Sequence, residues 1–312
     1  MTTGRPLKLG IILPEGENDM GGVTARWSDF LTMGRRAEEL GVDSLWFVDH
    51  LLYRDGATTE GTQGVWECWS MLSALAAVTE RVELGPLVSC TSYRNPALLA
   101  KIADTVDEIS GGRLIMALGA GWHEPEYHAF GFPYDHRVSR FEEAFTIVRT
   151  LLREGAIDFE GQYYSARDCE LRPRGPRPNG PPIMLGTTGP RMLRLTAQHA
   201  DSWNVWLCSS DSAPTAYPPI RAAVDAACAE VGRDPATLER TVSVMVDLAG
   251  THEVPASMGP ATAKPLTGTP IEIAASLRQY ADMGVAHVQV YLVPNTLETL
   301  EAFGEVLAAL DG

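Results

Sequence analysis

The chain has 312 residues, 45% of them hydrophobic and 21% charged, enough to bury a large core in one α/β domain spanning residues 1–312. A formal net charge of -15 argues against a nucleic-acid or anionic-membrane surface, which would need a basic face to displace counterions, so small molecules are the expected partners. The basic start of the chain, residues 1–8, is not followed by a long apolar segment, and no stretch approaches the roughly 18 apolar residues of a membrane span. A soluble, cytoplasmic protein is the expectation. Five cysteines, at 68, 90, 169, 208 and 228, contain no C-x-x-C pair, so they read as buried free thiols rather than a disulfide or zinc framework.

In chain order, Leu9 to Leu13 predicts a strand and Phe30 to Leu40 a helix stopped by Gly41. Strand Leu45 to Val48 precedes helix Trp66 to Val78, and strand Val82 to Val88 precedes helix Pro96 to Ile109, with Asn95 as its cap and Pro96 at its first position. Strand Leu114 to Leu118 is paired with helix Ser139 to Arg153, Ile183 to Leu185 with Arg191 to His199, and Ser202 to Val205 with Ile220 to Val231. Val242 to Asp247 with Ile271 to Met283, and His287 to Leu292 with Leu297 to Leu310, complete eight units. Eight strand-helix alternations predict a (β/α)8 TIM barrel. A doubly wound open sheet would also alternate, but Leu13-Pro14-Glu15-Gly16-Glu17 is not the G-x-G-x-x-G turn it would carry after its first strand.

Three intervals after strands are long enough to act as rim loops: Tyr53 to Val65, Trp122 to Val138 and Ala249 to Thr269. Between Ala156 and Asn179, short alternating runs around Gly161 predict a small hairpin inserted before the fifth strand.

The most informative segment is Ser44-Leu45-Trp46-Phe47-Val48-Asp49-His50, an apolar strand ending on two titratable side chains, as a barrel presents catalytic groups. Adjacent strand residues point to opposite sides, so Asp49 and His50 need not hydrogen-bond. The imidazole can donate or hold a proton near neutrality, or it can be a structural cap. In Gly119-Ala120-Gly121-Trp122-His123-Glu124-Pro125-Glu126-Tyr127-His128, small residues would let backbone approach a flat ligand, with the acids and aromatics closing over it. The histidines there lack the i, i+4 spacing of a zinc helix and Pro125 lies between them, so no metal is expected. Leu185-Gly186-Thr187-Thr188-Gly189-Pro190-Arg191 runs from a strand through hydroxyl-bearing residues into a helix N-terminus, a pattern suited to phosphate or to nothing in particular. Arg94, Arg137 and Arg140 would add positive charge for an anionic cofactor. Trp66, Trp69, Trp122, Trp203 and Trp206 would shape an apolar pocket or fill the core.

Leu45 to His50, Leu84 to Val88 with Tyr93 to Pro96, Gly119 to Tyr127, and Ala200 to Asn204 together resemble the bacterial luciferase-like monooxygenase superfamily. Within it the chain most resembles the deazaflavin enzymes that use coenzyme F420. The resemblance implies a ring bound at the barrel mouth against strand three, with a non-prolyl cis peptide among Leu87, Val88 and Ser89. It implies that Asp49 and His50 lie at the ring edge, with His50 the catalytic group. By the same resemblance Ala120, Gly121 and Trp122 line the ring or its side chain, and Arg137 with Gly186, Thr187, Thr188, Gly189 and Arg191 holds the anionic end. Trp122 stands where some deazaflavin sugar-phosphate dehydrogenases have a glutamate, which makes that activity unexpected. Arg137 and Phe141 stand where some flavin monooxygenases have histidine and tyrosine, which favours coenzyme F420 over FMN.

The implied function is hydride transfer between coenzyme F420 and a small organic substrate bearing C=C, C=N or C=O, or the reverse oxidation of an alcohol, in a homodimer. Three alternatives stay open: an FMN-dependent monooxygenase served by a partner reductase, a non-catalytic flavin-binding protein, and a metal-dependent barrel hydrolase. The expectation on which these depend is that His50 and the turn at 186 to 189 grip opposite ends of one long cofactor.

Overall fold

The computed structural model describes residues 4–54, 61–250 and 262–312. Two of the three expected rim loops therefore lie partly outside the described residues. The architecture is α/β, a (β/α)8 TIM barrel in which parallel strands alternate with helices in the predicted order. The contacts divide the chain into two compact units: Met1–Trp46 with Gly186–Gly312, and Phe47–Leu185.

In the first unit, strand Lys8–Ile12 lies parallel between Ser44–Phe47 and Val285–Leu292. Val285–Leu292 pairs on its other side with Glu239–Asp247, which in turn pairs with Ser202–Trp206. Near-continuous burial along these strands explains their apolar runs, since parallel strands are covered on both faces. Gly10 is demanded by packing: a Cβ there would stand 2.2 Å from the Ser44 hydroxyl and 2.4 Å from the Trp46 indole nitrogen. Ser44 Oγ accepts from Trp46 Nε1 at 2.7 Å and lies 2.7 Å from His287 Nε2. Burial pushes His287 down to about 3, so this imidazole is neutral and structural.

The second unit carries strands Glu83–Pro86, Ser89–Cys90 and Met116–Gly119, all of strand Ile183–Gly186 but its last residue, and helices Cys68–Val78, Pro96–Ser110 and Arg137–Glu154. Ile183–Gly186 and Ser89–Cys90 flank Met116–Gly119 in parallel. The Asn95 side chain caps helix Pro96–Ser110 by accepting from the Ala97 and Leu98 amides, as the sequence predicts. The inserted hairpin is present as antiparallel strands Ala156–Glu160 and Ser165–Glu170. Glu143 fastens its turn, accepting from the Gln162, Tyr163 and Tyr164 amides at 2.8, 2.8 and 3.0 Å.

Four of the five cysteines are buried, Cys169 is partly exposed, and all five are free. Trp69 and Trp203 are core residues, whereas Trp66 and Trp122 are exposed. Among the described residues no helix is long and apolar enough to cross a membrane.

Candidate active site

Strand Ser44–Phe47 delivers Asp49 and His50 just beyond its last residue, and the two side chains go to different partners, as strand geometry requires. Asp49 is 2% exposed and fully engaged. Its carboxylate accepts from Ser89 Oγ at 2.8 Å, from the Cys90 amide at 3.0 Å, and from both terminal nitrogens of Arg94 at 2.7 and 3.0 Å. Trp69 Nε1 donates to Ser89 Oγ at 3.1 Å, extending the network. Arg94 also bonds Glu67, whose carboxylate caps helix Cys68–Val78. The expectation that Arg94 adds free positive charge to the rim is therefore corrected: its guanidinium is shared between two carboxylates, because a buried Asp49 without a cation would be far costlier. Arg140 is likewise bound, to Asp135 at 3.0 Å.

His50 is partly buried, and its Nδ1 lies 2.8 Å from Glu126 Oε1. Its ring contacts Tyr53 at 4.7 Å and Trp122, edge to face, at 5.6 Å between centroids. Among the described residues Nε2 has no hydrogen-bond partner. Glu126 is 0% exposed and surrounded by donors. Tyr93 Oη donates to Oε1, the Leu51 amide to Oε2 at 2.8 Å and the Leu52 amide to Oε2 at 3.4 Å. Burial raises the carboxyl, but hydrogen bonds from His50, Tyr93 and Leu51 outweigh it and leave it below its usual value. The stabilisation from this depression is present at neutral pH and is lost as acid protonates the group. Tyr93 is pushed up by burial and by the carboxylate beside it, so it stays a phenol and a donor.

Glu126 is the partner of His50 that sequence reasoning misses. Trp122 to Val138 is not a simple loop, since Glu124–Phe130 is a helix. Pro125 lies in its first turn, where proline's missing N–H costs nothing, and Gly131 stops it in a left-handed conformation. The signal was available: acids in the first turn, proline at the second position, glycine past the end. The helix buries Glu126 and Tyr127 and leaves Glu124 and His128 outside, 3.1 Å apart. The acids do not all close over a ligand; one of them turns inward to hold His50.

Tyr127 packs with Cys90 and Tyr93 in a small core cluster. Its hydroxyl donates to the Ala120 carbonyl at 2.9 Å and lies 3.1 Å from Cys90 Sγ. Burial pushes the Cys90 thiol up to about 12, so it is not a thiolate at neutral pH. Gly121 has φ +72°, and a Cβ there would stand 1.9 Å from Tyr127 Oη and 2.6 Å from Cys90 Sγ. Gly121→Ala is therefore expected to cost about 1–3 kcal/mol by overpacking alone. Chemical denaturation checks this, and a midpoint unchanged from the parent would contradict the close approach.

Of the other predicted residues, Leu87 and Ser89 are buried and Val88 partly so, and the Leu87–Val88 peptide is cis, as the resemblance implies. Trp122 is 61% exposed beside His50, and its carbonyl accepts from Tyr134 Oη at 3.1 Å. Arg137 opens helix Arg137–Glu154 with its guanidinium 4.0 Å over the Tyr134 ring. All of these belong to the same unit as His50. The turn Gly186, Thr187, Thr188 and Gly189 with Arg191 belongs to the other. There Thr187 Oγ1 accepts from the Gly189 amide at 3.3 Å, and the Thr187 carbonyl accepts from Trp203 Nε1 at 2.7 Å. Helix Pro190–His199 follows with no side-chain cap, and among the described residues, apart from its chain neighbours, nothing lies within 4 Å of a Cβ built on Gly189.

Residues 7–254 match the family described as luciferase-like monooxygenase. Over 197 residues the chain is 30% identical to the 5,10-methylenetetrahydromethanopterin reductase of Archaeoglobus fulgidus, a match covering 63% of this chain and 53% of that protein. Over 184 residues it is 33% identical to the pyrimidine monooxygenase RutA of Cronobacter sakazakii, covering 57% and 53%. The matched segments thus span about half the length of these curated relatives. A solved F420-dependent secondary alcohol dehydrogenase, in complex with an F420-acetone adduct, has a TM-score of 0.77 and 18% identity over 97% of this chain and 99% of that one, which shows a shared fold. With four fifths of its length matched by the family model, this chain belongs to the luciferase-like monooxygenase family.

Proposed function

We propose that the protein is an oxidoreductase that transfers a hydride between coenzyme F420 and a small organic substrate. The observation that carries this reading is His50, an imidazole anchored on one nitrogen by buried Glu126, with the other nitrogen unpartnered among the described residues beside an exposed indole. Such a group exchanges protons at a defined atom. Membership of a family that includes reductases and monooxygenases supports redox chemistry, and the reductase relative supports the hydride-transfer side.

The residues present fit an anionic ring cofactor. In the unit that contains Gly186–Gly312, the uncapped helix start at Gly189 suits an anionic group, with Gly186, Thr187, Thr188 and Arg191 as the residues that would hold it; in the other unit Arg137 is a second cation suited to an anionic group. Leu87, Val88, Ser89, Ala120, Gly121 and Trp122 would contact the ring, with His50 at its edge. Asp49 would act through the backbone, since its carboxylate is wholly engaged within the protein. When bound, a deazaflavin supplies two-electron hydride chemistry. The protein's own part is to hold the substrate against Trp122, exclude water and move a proton at His50 Nε2.

An FMN-dependent monooxygenase is the second reading, and similarity to the pyrimidine monooxygenase favours it. Equilibrium titration of the protein with each cofactor, followed by fluorescence, separates the two. Coenzyme F420 is expected to bind at least about tenfold more tightly than FMN, a difference of about 1.4 kcal/mol. Tight binding of FMN with none of coenzyme F420 would reject the proposed cofactor.

A further inference from the structure

We infer that Glu126 is a positioning residue that fixes the tautomer of His50, so that Nδ1 carries the hydrogen and Nε2 alone exchanges protons with the substrate. The inference deepens the functional reading above and rests on it for its catalytic consequence.

The argument is a count of donors. An ionised carboxylate only accepts. Around Glu126 stand Tyr93 Oη and His50 Nδ1 on Oε1, and the Leu51 and Leu52 amides on Oε2. The two backbone amides are obligate donors. Tyr93 is held as a phenol, and among the described residues it donates to this same oxygen. A proton on Oε2 would face two N–H groups, and one on Oε1 would sit on the oxygen that already accepts from Tyr93 in a carboxyl that its hydrogen bonds hold below its usual value, so the carboxyl stays ionised and the hydrogen in the 2.8 Å contact belongs to His50 Nδ1. This holds whether His50 is neutral or cationic, because only Nε2 differs between the two states.

The other groups facing the ring do not compete. Tyr53, Trp122 and His123 approach it as rings, with centroids 4.7, 5.6 and 6.3 Å away. His123 Nε2 is already accepting from the Arg54 amide at 3.1 Å. Cys90 and Tyr127 pack against Tyr93. Burial holds their thiol and phenol protonated, so they add no charge beside the dyad at neutral pH.

The conservative variant Glu126→Gln makes the test sharp, because a carboxamide cannot satisfy all four donors. With its NH2 toward the Leu51 and Leu52 amides, two backbone N–H groups would face a donor. With its NH2 toward His50 and Tyr93, the phenol O–H must rotate away and the imidazole must move its hydrogen from Nδ1 to Nε2, while both backbone amides keep their acceptor. The second arrangement is the less costly, and it leaves the wrong nitrogen protonated.

The measurement is nitrogen-15 NMR of the histidine rings, with His50 assigned among the seven histidines by comparison with His50→Ala. The parent is expected to show neutral His50 protonated on Nδ1, and Glu126→Gln is expected to show it protonated on Nε2. The same variant should lose turnover by about 10²- to 10⁴-fold in kcat, the range that general acid-base catalysis supplies, with KM near the parent value. A parent spectrum with the hydrogen on Nε2 overturns the inference even if the variant does not fold. An unchanged tautomer in Glu126→Gln, or a changed tautomer with unchanged kcat, overturns it as well. If instead His50→Ala retains full turnover while the tautomer shift is seen, the functional reading fails and the assignment of the hydrogen stands.

Discussion

His50→Ala is expected to lower kcat by about 10²- to 10⁴-fold, the contribution of a positioned acid-base group, while leaving coenzyme F420 affinity within a few-fold of the parent. The expectation follows from which atoms the variant removes. Glu126 keeps Tyr93 and the Leu51 and Leu52 amides as donors, so the buried carboxylate remains satisfied and the fold has no new uncompensated charge. What is lost is an imidazole whose Nε2 has no partner within the described protein. A structural cap would give the opposite pattern: a lower melting temperature, with turnover per folded molecule preserved. Steady-state kinetics beside a thermal melt therefore separates the roles. Full turnover would remove His50 from the chemistry, and absence of turnover in the parent with every acceptor, alongside tight cofactor binding, would favour a binding protein.

The eight alternations were legible because the barrel strands are largely buried and several helices carry their own cap or stop, so pattern and fold agree locally. Asn95, Pro96 and Gly41 are examples in which one residue fixes an element's end by its own chemistry. His50 was legible for a similar reason, as a titratable group ending an apolar strand. Glu126 was not, since its importance arises from a contact 76 residues away that no local pattern encodes. Pro125 added to the difficulty, because the proline that breaks a helix interior is favoured in a first turn. Arg94 shows the reverse error. Its charge was visible, but the buried Asp49 that consumes it became apparent only once strand end and loop were brought together.

That ion pair leads to the largest stability effect expected. Arg94→Met is expected to destabilise the protein by about 3–5 kcal/mol, the usual cost of removing one partner from a buried pair. Asp49 would keep only Ser89 Oγ and the Cys90 amide, two neutral donors for a carboxylate whose side chain is 0% exposed. Glu67 would lose its cation too, although its own bonds to the Trp69 and Ser70 amides would continue to cap helix Cys68–Val78. The origin of the loss can be isolated. If the penalty is the unpaired charge rather than the lost packing of the arginine stem, the double variant Asp49→Asn with Arg94→Met should recover a large part of it, because an amide at position 49 can still accept from Ser89 or Cys90 without being charged. Denaturant titration of the parent, both single variants and the double closes the cycle. A double variant no more stable than Arg94→Met would mean that the arginine holds the site by shape, and the electrostatic account of how this strand end is held would fall.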